Sequence, residues 1–236
     1  MSRVLFVIAI FIANIIQGLT GFAGSLLAMP PAINIVGLVT AKVAVNTFGL
    51  ISSLILFLNN FKKIDWKEAI KIIILMGIGL VAGMALTDYL LGAQQILMWI
   101  YAAFIILVAL KELFYKGKLD FNEVGLIIIV LLAGLFQGLF VSGGPFLIIY
   151  VSKKLKDTDA HRGTLGLIWI FMNGSMMIQQ IANGTFMPNL PYTLLGIPAV
   201  FVGVWIGGKL AKKLDRQKFL RVVYCLLIVS ALSLVI

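Results

Sequence analysis

The chain has 236 residues, of which 61% are hydrophobic and only 12% charged. A soluble domain carries about 25% charged residues, so a water-soluble globule is excluded. The formal net charge of +10 would suit nucleic acid, but the lysines and arginines sit in short loops between apolar runs, where they mark the cytoplasmic side of a membrane protein. Cys225 is the single cysteine, which leaves neither a disulfide framework nor a thiolate metal cluster.

The first apolar pieces, residues 4–16 and 22–39, are divided by Gln17-Gly18-Leu19-Thr20-Gly21, and the second holds Pro30 and Pro31. Arg3 alone leads the first piece and no small-x-small cleavage site follows cleanly, so it is read as part of the bundle and not as a leader. Each piece is short of the roughly 20 residues a span needs, and together they predict a helical hairpin dipping into the membrane. Spans near 42–60, 67–91 and 95–114 follow. A second hairpin at 124–152, around Gly143-Gly144-Pro145, precedes spans near 162–182, 190–210 and 219–236.

The second half repeats the first at an interval of 120: Gln17-Gly18-Leu19 recurs as Gln137-Gly138-Leu139, Gly24 as Gly144 and Gly83 as Gly203. The expected fold class is therefore an all-α polytopic membrane protein with an inverted internal repeat. Residues 1–117 and 118–236 each form a broken hairpin plus three transmembrane helices, within one integral membrane domain. Inversion follows because each half crosses an odd number of times. Counted by loop, 17 of the 19 basic residues fall on one side, leaving Arg3 and Lys42; that side is cytoplasmic and both termini are expected outside the plasma membrane.

Duplicated units with broken helices commonly build a solute site near the bilayer midplane. The two hairpin tips, Gly18 to Gly24 and Gly138 to Gly144, are accordingly the candidate site. Glycine exposes peptide N–H groups there, Pro145 starts a helix without wasting a donor, and a helix N-terminus favours an anion. The polar side chains around the breaks, Asn14, Gln17, Thr20 and Ser25 in one copy and Gln137 and Ser142 in the other, are all neutral. Such donors suit a small anionic solute better than a cation, which would want carboxylates or a ring of carbonyls. Gly18, Gly21, Gly24, Gly138, Gly143 and Gly144 are candidate contacts, though glycine also permits tight helix crossing.

Lys42 and Arg162 occupy equivalent positions at the starts of spans, where each can attract an anion or snorkel to the headgroups. Asn46 and Asn173 lie further in and can line the path or bond helix to helix. Gly79, Gly83 and Thr87, matched by Ala199, Gly203 and Gly207, form small-residue steps. These suit either a homodimer face or packing of one half on the other, the second being preferred because the pattern obeys the repeat. Asp88 lies toward the outer end of its span and reads as interfacial rather than as a proton relay. His161 reads as a solvated loop residue. Ser142 before Gly143, paired with His161, would be the minimum for an intramembrane serine hydrolase, but Phe140 stands where such enzymes have the first glycine of their motif. No Walker motif or cofactor signature is present, and the chain is not expected to be an enzyme.

Gln17-Gly18-Leu19-Thr20-Gly21-Phe22-Ala23-Gly24 with Pro30, and Gln137-Gly138-Leu139-Phe140-Val141-Ser142-Gly143-Gly144-Pro145, resemble the paired signatures of the sulfite exporter TauE/SafE family, also called the toluene sulfonate uptake permease family. The resemblance covers nearly the whole chain. It implies a bacterial or archaeal plasma-membrane carrier for sulfite, sulfonates or related anions. The first copy departs from the second in having Ala23-Gly24-Ser25 in place of Gly143-Gly144-Pro145. The expected function is secondary transport, outward by default since an inside-negative potential drives anions out. A passive anion channel and a membrane subunit of a multi-component uptake system are the alternatives.

Overall fold

The computed structural model describes residues 2–20, 23–114, 121–155, 158–210 and 216–235. These form ten α-helices: α1 (Ser2–Thr20), α2 (Gly24–Val36), α3 (Leu38–Asn60), α4 (Trp66–Tyr89), α5 (Gln94–Phe114), α6 (Glu123–Phe140), α7 (Gly144–Lys154), α8 (Thr158–Ala182), α9 (Phe186–Leu210) and α10 (Arg216–Leu232). Among the described residues, seven helices are long and apolar enough to cross a membrane. The chain is a multi-pass, all-α membrane protein.

Two of the seven are α1 and α6, of 19 and 18 residues, about 28 Å at 1.5 Å per residue. The hairpins are therefore lopsided, a long first helix returning through a short one of 13 or 11 residues. The first break also comes later than the sequence suggests, because α1 continues helically through Gln17 and Gly18 to Thr20. Likewise Gln137 and Gly138 lie inside α6. A glycine in an apolar helix need not end it when a neighbouring backbone fills the space its side chain would take. Several spans begin earlier than expected: α3 follows Gly37 directly, at a positive φ of 80°, and α8 is helical from Thr158, so His161 belongs to a helix and not to a loop.

The spans earn their places by which face they turn inward. On α4, Ile72, Met76, Gly79, Leu80 and Gly83 are buried, while Ile70, Ile74, Ile78 and Val81 stay more than half exposed. That apolar stripe would be a liability in water and is the expected lipid face here. The buried face of α4 crosses α6, and α9 crosses α1. A methyl group added to Gly79 would strike the Leu131 carbonyl, one on Gly134 the Met76 carbonyl, and one on Gly207 the Ile15 carbonyl. The small-residue steps are thus consumed inside the chain. Of the two uses the sequence allows for Gly79/Gly83 and Gly203/Gly207, the contacts fit the preferred one, packing of one half on the other, and lend no support to a homodimer face, since those glycines are buried against α6 and α1.

Candidate solute site

Each hairpin is fastened by its own glutamine. Gln17 Oε1 accepts from the Gly24 N–H at 2.9 Å, and Gln137 Oε1 accepts from the Gly143 N–H at 3.1 Å. In both, a carboxamide on the last turns of the long helix captures a peptide donor where the short helix begins, satisfying a group that helix geometry leaves orphaned. The second tip turns at Val141, whose φ of 55° is left-handed and whose N–H caps the Gln137 carbonyl at 2.8 Å. A β-branched residue there is a true conformational outlier. An aromatic stack holds it: Tyr101 lies 4.3 Å from Phe140, ring to ring, and its hydroxyl meets Ser142 Oγ at 2.7 Å.

Between the tips lies a cavity of about 30 Å³. That is room for a water or two, so any solute of several heavy atoms requires the helices to part. Asn14 and Gln17 of α1 and Gly24 and Ser25 of α2 form one wall, Phe48, Gly49 and Ser52 of α3 another. Gln137 and Val141 close it from the second hairpin, with Trp169 and Asn173 from α8. Both hairpins therefore meet at one place, and every described residue lining it is uncharged.

The orientation of the cavity's carboxamides is fixed by their partners. Asn14 Nδ2 donates to the Ile10 carbonyl at 2.9 Å, which turns Asn14 Oδ1 to accept from Ser52 at 3.2 Å. Gln137, pinned through its oxygen, donates from Nε2 to Asn173 Oδ1 at 2.8 Å. The oxygens of Asn14, Gln17, Gln137 and Asn173 are thus all occupied by the chain's own donors. Asn173 Nδ2, which faces Gly49, and the Ser25 hydroxyl have no partner among the described residues. The walls present a surplus of donors.

Of the sequence candidates, Asn14, Gln17, Gly24, Ser25, Gln137 and Asn173 line this cavity. The other described candidates do not. Gly18 packs its α-carbon where a Cβ would come within 2.5 Å of the Val204 carbonyl, and Gly138 makes the same kind of contact with Leu80. Ser142 donates to the Phe140 carbonyl at 2.9 Å while holding Tyr101, so its hydroxyl is engaged within the tip. The Gly143 N–H is spent on Gln137, and Gly144 and Pro145 are buried in the first turn of α7. Lys42 Nζ donates to the Gly138 carbonyl at 2.8 Å and to Thr87 Oγ1 at 3.1 Å, tying α3 to α6 and α4. Asn46 is fully buried and donates to the Asn173 carbonyl at 3.0 Å. Arg162 is half-buried near the start of α8, outside the cavity. Gly21 lies outside the described residues, as does the side chain of His161. Asp88 is exposed at the end of α4.

Among the lining residues that no pattern in the sequence singles out are Phe48, Ser52 and Trp169, and Trp169 differs from the others in its polar group. It is 6% exposed, and its indole nitrogen has no hydrogen-bond partner.

The family model for the sulfite exporter TauE/SafE matches residues 6–234. The chain belongs to the TauE/SafE family. No curated protein and no solved structure matches it. As a TauE/SafE protein it is a multi-pass transporter of the plasma membrane, and the match takes in both hairpins, every span and all the cavity residues.

Proposed function

We propose that the chain is a secondary carrier that exports a small sulfur-containing oxyanion, of the sulfite or sulfonate type, through the cavity between the hairpins. One observation carries the reading: four carboxamide oxygens in the walls are taken by internal donors, while Asn173 Nδ2 and the Ser25 hydroxyl remain available. A cation would find no carboxylate and few open oxygens, whereas an oxyanion finds hydrogen-bond donors in a site shielded from water. The small volume, about 30 Å³, favours a carrier over an open channel.

The mechanism proposed is rocking of two inverted halves. In its support, α2 and α7 start 120 residues apart, as do α3 and α8, and α4 and α9. The cross-packing is exchanged as well, α4 on α6 and α9 on α1. In this reading the side of the spans crowded with basic residues is cytoplasmic and both termini lie outside.

The test is flux in proteoliposomes at a set potential, with and without a pH gradient, across sulfite, thiosulfate, sulfonates and carboxylates. Saturable oxyanion flux with counterflow is expected, and Ser25→Ala together with Asn173→Leu should reduce it by about tenfold or more, as loss of bonds to a charged group implies. Unitary currents would make the protein a channel, and indifference to both substitutions would remove the cavity from the transport path.

A further inference from the structure

Trp169 stands apart from the rest of the site. Indole is a donor only, with no acceptor to satisfy, and buried side-chain donors almost always find a partner. Yet Trp169 Nε1 is enclosed and unpaired in a residue that lines the cavity. Asn173 follows it by four positions on α8 and so shares its face of the helix. One turn of α8 thus carries two donors, the enclosed Trp169 indole and Asn173 Nδ2, on two residues that line the same cavity. At the position 120 residues earlier the chain has Gly49, which lines the cavity from α3 without a side chain. The indole donor therefore belongs to one half only, opposite a gap in the other.

We infer that Trp169 is the specificity-determining contact of the solute site, its indole N–H bonding an oxygen of the bound anion as the helices part. The inference rests on the anion-carrier reading and adds to it the group that reads the solute. Its closed state is also accounted for: in a cavity too small for an oxyanion the donor waits without a partner, and the widening that admits the solute supplies one. The Trp169 and Phe48 rings both line the cavity beside its polar groups, so a solute there meets hydrocarbon as well as donors. An anion with its oxygens gathered at one end, such as sulfite or an alkanesulfonate, fits that lining better than sulfate, which is polar on every side.

The test is made on the full chain with sulfite, methanesulfonate and sulfate as probes. In flux measurements Trp169→Phe keeps an apolar ring and removes the N–H; KM for sulfite and methanesulfonate should rise about tenfold with the maximal rate little changed, and discrimination against sulfate should narrow. Independently, 15N-tryptophan labelling of the unmutated chain gives one indole signal for each of the four tryptophans, and the Trp169 signal, assigned by its loss in Trp169→Phe, should move on adding sulfite but not sulfate. An unchanged KM with an unmoved signal, while the unmutated chain transports, overturns the role of Trp169 and leaves the carrier reading in place. If the unmutated chain moves no anion, the carrier reading fails, and the indole signal alone decides whether Trp169 binds one. Should the variant fold poorly, the response of the indole signals to sulfite in the unmutated chain still decides the matter, since an absence of any shift overturns the inference.

Discussion

Gln137 does two jobs with one side chain, accepting from the Gly143 N–H and donating to Asn173 Oδ1. Gln137→Leu removes both bonds and strands a buried donor and a buried acceptor, so it should destabilise the protein by about 1–3 kcal/mol per stranded group, read as a fall in melting temperature in detergent. Gln137→Glu can still hold the Gly143 N–H but sets a negative charge against the cavity; anion flux should drop much more than stability does. Comparing the two variants separates fastening from solute binding. At this scale the sequence reveals the place better than the use. Gln17, Ser25, Gln137 and Asn173 are conspicuous as polar groups beside apolar breaks, but whether an amide points at a solute or at its own backbone depends on a fold-back of six or seven residues that no spacing encodes. Trp169 escapes notice because an aromatic residue in an apolar run looks like core or lipid contact, and because attention to what the two halves share hides what differs.

Among the helices, the decisive contacts are backbone against backbone. In lipid, close packing replaces the hydrophobic effect as the adhesive, and the crossings of α4 with α6 and of α1 with α9 rely on glycine at Gly79, Gly83, Gly134, Gly203 and Gly207. Gly83→Val would drive a branched side chain into the Leu135 carbonyl; loss of at least about 1–3 kcal/mol is expected from overpacking, visible as reduced yield and a lower melting temperature. Lys42→Ala tests a different joint. Because Lys42 lies on the Gly138 carbonyl and Thr87 rather than in the cavity, its loss should weaken thermal stability more than solute affinity. The order of the helices is readable from hydropathy alone. The first break falls a few residues later than the sequence puts it because Gly18 looks like a helix ender and only the neighbouring backbone reveals it as a crossing point; the second falls at Gly143-Gly144-Pro145, where the sequence puts it.

For the whole molecule, inversion makes a prediction independent of the site. In a Cys225→Ala background, Ser2→Cys and Val235→Cys should both react with a membrane-impermeant maleimide on intact cells, and Lys63→Cys should react only after the membrane is opened. Protection of either terminus would mean that the halves run in the same sense. The repeat, the basic-residue asymmetry and the family are all legible in the sequence, since each depends on composition and interval rather than on contacts. The asymmetry of the tips is not: Tyr101 stacked on Phe140, with Phe136 tilted against it, clamps the second turn, while position 16 of the first copy has isoleucine and position 20 threonine.

The uncharged lining of the cavity has an electrical consequence. With no counter-charge among the described lining residues to cancel it, a bound anion would cross the field with its own valence, so on the carrier reading the loaded form feels the membrane voltage. Net efflux of a monovalent anion would then steepen about tenfold in equilibrium ratio for each 60 mV or so of inside-negative potential. One-for-one swapping of equal valences moves no current, and its rate should stay flat across the same clamp.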